Sequence, residues 1–197
     1  MTDYFALLNE PRRPWGDAEG LKAKFLSRSA AVHPDRVHQA SEGDKLAANQ
    51  HYTELNAAYN CLREPRSRVR HLLELELGAK PSDLTNVPDD LMELFFSVGK
   101  AFREVDALLA EKGKATSPLL QVKFFERGQD WVEQLGALRE KIAARRDGLV
   151  SELQGLDAGW EAATPKPTEA LLRIWRLLSF YDRWLTQIQE RVVQLSF

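Results

Sequence analysis

The 197-residue chain has a single cysteine, Cys61, so it can form neither an internal disulfide nor a multi-cysteine metal site. Its four histidines are scattered, and no two stand four residues apart on one helical face. No metal and no other cofactor is expected. A charge excess is also missing. With 27 Lys and Arg against 29 Asp and Glu, the formal net charge is −2, which does not suggest bulk nucleic-acid binding. No apolar run approaches the roughly 20 residues of a membrane span, so no membrane partner is expected. The opening MTDYFALLNE lacks a basic stretch followed by an apolar one. Without a secretory leader, a cytoplasmic location is expected. His51 and Cys61 are nearly three turns apart on one helix, too far for a nucleophile–base pair, and no other catalytic set is apparent. The chain is expected not to be an enzyme.

What is present is helix. Hydrophobic residues make up 44% of the chain, enough to bury one large core or two small ones. Tyr4, Phe5, Leu7 and Leu8 form a short apolar segment ended by Pro11 and Pro14. Asp17 is a natural N-cap for a helix to about Val32, with Leu21, Phe25 and Val32 on one face. Pro34 ends that helix. After a polar loop, the spacing predicts a helix over about 44–62, with Leu55, Tyr59 and Leu62 in register. A short helix over about 66–77 follows Pro65. The turn-rich stretch 79–88 reads as a linker, separating residues 1–78 from residues 89–197.

Three longer helices are expected beyond the linker, over about 89–112, 117–155 and 167–195. Their apolar stripes include Leu91, Phe95, Val98, Phe102 and Val105 in the first, and Leu120, Phe124, Trp131, Leu135 and Ile142 in the second. The third carries Leu171, Ile174, Trp175, Leu178, Tyr181 and Ile188. The glycines of 117–155 suggest a kinked or frayed helix. Asp89 and Asp90 suit the positive end of a helix. The fold class is all-α: an N-terminal helical hairpin unit and a C-terminal antiparallel three-helix bundle. The arginines at 63, 66, 68 and 70 read as a solvated basic face, and Cys61 as a packing residue.

His33-Pro34-Asp35 follows an amphipathic helix that carries Lys22, Lys24 and Arg28, and Arg36 comes directly after it. The next helix ends in Asn56, Ala58, Tyr59 and Leu62, then Pro65. This order of parts resembles a J-domain. The opening Asp3-Tyr4-Phe5 and the stretch Asn56 to Leu73 resemble the HscB-type co-chaperones of iron–sulfur cluster assembly. So do Leu91-Met92-Glu93 and Phe180-Tyr181-Asp182-Arg183.

The resemblance implies that His33, Pro34, Asp35, Lys22, Lys24, Arg28 and Arg36 face an HscA/DnaK-type chaperone and stimulate its ATPase. The basic side chains would raise the encounter rate. It also implies that Leu91, Met92, Phe95, Phe96 and Phe180 bind an IscU-type iron–sulfur scaffold protein. The same residues could instead be core positions.

The sequence departs from the family at the scaffold-facing helix. Phe96, Gly99 and Arg103 stand where the family places acidic residues. Arg28 replaces an apolar residue, and Val32 and Val37 replace larger aromatics. Two alternatives therefore stand beside the scaffold-delivery reading. One is a J-domain protein whose bundle serves another client. The other is a helical adaptor outside the chaperone system.

Overall fold

The computed structural model describes residues 2–32, 41–82, 88–113 and 117–196, apart from the side chains of Asp89, Asp90 and Pro118. Among the described residues all regular structure is helix, and no strand is present. The helices are α1 (Tyr4–Leu8), α2 (Ala18–Ala31), α3 (Glu42–Arg63), α4 (Pro65–Leu77), α5 (Asp89–Lys112), α6 (Pro118–Gly159) and α7 (Thr168–Ser196).

Local chemistry sets most of the boundaries. Asp3 caps α1 by accepting from the amides of Phe5 and Ala6, and Asn9 closes it in the left-handed region at φ 53°. Asp17 caps α2 through the amides of Glu19 and Gly20. α3 starts earlier than the apolar pattern predicts, because the Ser41 hydroxyl accepts from the Asp44 amide at 3.2 Å and donates to the Asp44 carboxylate. Pro65 opens α4 at a position where no amide donor is needed. Gly78 ends it at φ 67°, where a Cβ would be strained.

The chain divides into two compact units. Unit 1 comprises residues 1–82 and 150–175, and unit 2 comprises 83–149 and 176–197. In unit 1, α1 and α2 pack on α3, and α3 packs on α4. Phe5, Leu8, Leu55, Leu62, Leu72 and Leu73 are fully or almost fully buried there. Each such side chain contributes about 1.5–3 kcal/mol of burial free energy. Phe25 of α2 stacks on Tyr59 of α3 at 4.5 Å, joining two residues expected on facing stripes.

In unit 2 the buried stripe of α5 is Leu91, Leu94, Val98, Val105 and Leu108. Phe95, expected on that stripe, is instead 40% exposed, because Leu94 takes the inward position. α6 is unbroken through its glycines. At Gly128 a Cβ would stand 3.5 Å from the Leu195 carbonyl, an ordinary contact, so the backbone there lies against α7. At Gly136 and Gly148 the space is open. Trp175, which belongs to unit 1, is buried as expected; in unit 2 Trp184 is buried, Trp131 is half-buried, and Leu120 is exposed.

Candidate functional site

The two expected partner faces lie in different units. The first rests on α2. Lys22 and Arg28 are exposed there. Lys24 is not a free cation: its ammonium donates to the Glu10 carboxylate at 2.6 Å and to the Asn9 carbonyl at 3.0 Å. It therefore fixes α2 to the residues that follow α1. His33, Pro34, Asp35 and Arg36 lie outside the described residues.

Behind α2 is a buried polar network that the sequence did not announce. Arg68 is 3% exposed, which overturns its reading as part of a solvated basic face. Its guanidinium donates to the carbonyls of Arg13 and Leu62, pairs with Glu10 at 3.4 Å, and lies over the Phe5 ring. Burial lowers its pKa, and the Glu10 carboxylate opposes that shift. The cause is phase. Arg68 precedes buried Leu72 by one turn and adjoins Val69, so it falls on the inward face of α4.

Arg13 extends the network. It grips Asp157 through two nitrogens, and the Trp15 amide donates to the same carboxylate at 3.0 Å. The bond to Asp157 raises the Arg13 pKa. Trp160 is 1% exposed, and its indole donates to the Arg12 carbonyl at 2.9 Å. Trp15 and Trp160, which the sequence left without a role, thus fasten the connection between α1 and α2 to the end of α6. Only the partner residues, far away in sequence, could have revealed this.

His71 closes the other side of unit 1. Its Nε2 accepts from the Tyr4 amide at 3.0 Å, so in this arrangement the ring is neutral with its proton on Nδ1, towards Glu74. Burial lowers its pKa, against the opposing effect of Glu74 and Asp3. Cys61 is half-buried, and burial pushes its thiol up to about 11, followed by the effect of Glu74. It therefore stays protonated near neutral pH, as a packing residue does.

The second face is in unit 2. Met92, Phe95 and Phe96 of α5 are 36%, 40% and 63% exposed. The Phe95 ring meets Phe96 at 6.1 Å and Trp184 at 6.4 Å, and Phe180 meets Trp184 at 5.7 Å. Met92, Phe95, Phe96 and half-exposed Phe180 therefore present an apolar surface backed by buried Trp184. Leu91 does not belong to it. At 0% exposure it is a core residue, because it shares the inward face with Leu94 and Val98. A contiguous exposed aromatic patch is a feature of protein-binding surfaces. No group of three or more His, Cys, Asp or Glu that could hold a metal ion occurs among the described residues. No described helix is long and apolar enough to cross a membrane.

No protein-family model matches the chain. It is similar to the Co-chaperone protein HscB homolog of Chromobacterium violaceum, 38% identical over 111 residues, 54% of this chain and 63% of that protein. The protein of the same name in Azoarcus sp. is 37% identical over 47% of this chain and 54% of its own length. That of Pseudoalteromonas atlantica is 41% identical over 37% and 42%. The matched region thus spans less than two thirds of these relatives. Among solved structures, the chain is similar to chaperone HscB from Vibrio cholerae, with a TM-score of 0.66 and 23% identity. That likeness covers 98% of this chain and 99% of the other. Human co-chaperone protein HscB gives 0.59 and 20%, covering 98% of this chain and 81% of its own. The HscB-type resemblance read from the sequence holds in both comparisons, and the all-α fold is the one those structures share.

Proposed function

We propose that the chain is a co-chaperone that stimulates the ATPase of an HscA/DnaK-type chaperone and delivers an IscU-type iron–sulfur scaffold protein to it. The observation that carries this reading is the 37–41% identity to proteins named Co-chaperone protein HscB homolog. Residues 1–78 would act as the J-domain, 79–88 as a linker and 89–197 as the client-binding bundle, in the cytoplasm.

Lys22 and Arg28 are exposed on α2 and can steer a chaperone with an acidic docking surface. Lys24 contributes differently, by orienting α2 through Glu10. Pro34 has no amide donor and disfavours helix in the residue before it, and α2 ends at Ala31. Asp35 pairs with a cation of the chaperone. Docking favours the hydrolysis-competent state of that partner, so the effect is a population shift and needs no chemistry from this chain. Met92, Phe95, Phe96 and Phe180 supply the apolar contact for the scaffold protein.

The test is single-turnover ATP hydrolysis by the HscA/DnaK-type chaperone. Wild-type chain is expected to accelerate it. Asp35→Asn should remove most of that acceleration, on the order of tenfold or more, since losing one partner of a docked ion pair costs about 2–5 kcal/mol. Full stimulation by a folded Asp35→Asn chain would refute the reading.

A further inference from the structure

The aromatic face of unit 2 has a charged edge of one sign. On α5, Met92, Phe95, Phe96, Gly99 and Arg103 recur at helical spacing and share one face. A Cβ built on Gly99 would meet a guanidinium nitrogen of Arg103 at 3.7 Å, so the arginine folds back over the glycine towards the aromatic rings. Arg103 is exposed, and no carboxylate pairs with it among the described residues.

The acids near this face are engaged elsewhere. Glu93 faces Lys141 at 3.8 Å, Asp106 is held by two nitrogens of Arg191, and Asp182 is bound by Arg146 at 2.7 Å. Glu104 lies about 100° around the helix from Arg103. Lys100, one turn beyond Phe96, and Arg183, one turn beyond Phe180, are both exposed. The apolar patch is therefore bordered by cations.

We infer that this face takes a protein segment in which an apolar side chain is flanked by carboxylates, with Arg103 receiving a carboxylate while the apolar side chain settles against Phe95 and Phe96. A guanidinium suits this role. It is planar, offers two parallel donors to a carboxylate, and is less strongly hydrated than an ammonium. Gly99 matters because its missing side chain lets the Arg103 guanidinium lie over the helix, 3.7 Å from where a Cβ would stand. The inference rests on the proposed client-binding role of this face and adds the charge that its partner must carry.

The test uses the full chain and two sets of probes. One is the IscU-type scaffold protein of the same organism, titrated at two salt concentrations. The other is a pair of short peptides with the same apolar anchor, one flanked by glutamates and one by lysines, followed through the NMR signal of the Trp184 indole. Arg103→Glu is expected to weaken scaffold binding roughly three- to tenfold and to flatten its salt dependence. Arg103→Lys should retain most of the salt dependence. Gly99→Leu, which favours the helix, should weaken binding by displacing the Arg103 guanidinium while leaving the circular dichroism unchanged. The glutamate peptide should shift the indole signal more than the lysine peptide.

Scaffold binding that is indifferent to Arg103→Glu and to salt would overturn the inference and leave the proposed function intact. Absence of scaffold binding would instead defeat the proposed delivery role, and the peptides would then decide the inference alone. Equal response to both peptides, or response to neither, would count against it.

Discussion

The two units differ in what is added to their apolar cores. Unit 1 adds directional polar contacts made in or near its interior: Arg68 with Glu10, Arg13 with Asp157, His71 with the Tyr4 amide. Unit 2 depends on apolar stripes, and its described ion pairs, such as Arg191 with Asp106 and Arg127 with Glu111, are more exposed. A buried charge tolerates few alternative arrangements, whereas an apolar surface can accept contacts of many shapes. The contrast fits the proposed roles. A fixed unit presents a motif in one orientation, and an aromatic face accommodates a client.

Four substitutions or conditions would break or sharpen that contrast. The largest effect is expected from Arg68→Ala, which leaves Glu10 with Lys24 as its remaining cation, removes the donor to the Arg13 and Leu62 carbonyls, and should cost about 3–5 kcal/mol in urea unfolding. Arg68→Met, which fills the space without the charge, isolates the electrostatic part by comparison. Next is Asp157→Ala, which strands the Arg13 guanidinium and the Trp15 amide and should cost about 2–3 kcal/mol. If either variant matches wild type in its unfolding midpoint, the polar account of unit 1 fails.

The third prediction concerns pH. The folded-state pKa of His71 lies below its ordinary value of 6.5, so the unfolded chain binds the extra proton more readily. Its stabilising contribution is therefore fully present above pH 6.5 and is lost as pH falls through the lower folded-state value. Protonation also removes the acceptor for the Tyr4 amide. Unfolding free energy measured between pH 7.5 and pH 5 should drop more for wild type than for His71→Gln. Equal slopes would remove His71 from the account.

The smallest effect is expected in unit 2. Phe96→Ser changes a side chain that is 63% exposed and should alter stability by no more than about 0.5 kcal/mol. A large loss of stability there would mean that the aromatic face serves packing rather than binding.

Much of the helical architecture was legible in the sequence, because caps, prolines and apolar spacing act within a few residues. Asp17, Pro65 and Gly78 mark boundaries for this reason. The order of Asp3-Tyr4-Phe5, basic helix, His33-Pro34-Asp35 and Asn56 to Leu73 pointed to the HscB type. Faces were harder to assign. Hydropathy alone puts Phe95 inside and gives Leu91 and Met92 one role, yet the three diverge in the structure, because neighbouring Leu94 completes the inward stripe. Arg68 was missed because composition marks an arginine as a surface residue, while its phase with Leu72 places it inside. The carboxylate of Asp157 was illegible for a different reason: its partners come from a segment near the opposite end of the sequence.

That distance bears on the order of synthesis. Asp157 and Trp160 reach back over 142 to 148 residues to Trp15, Arg13 and Arg12. While the ribosome is still adding α5 and most of α6, the donors at Arg13 and Trp15 have no carboxylate to receive them. α1 to α4 can pair and collapse early, but their last polar contacts form only after Trp160 has emerged. A fragment ending at residue 82 would carry His33-Pro34-Asp35 without the residues that complete its unit.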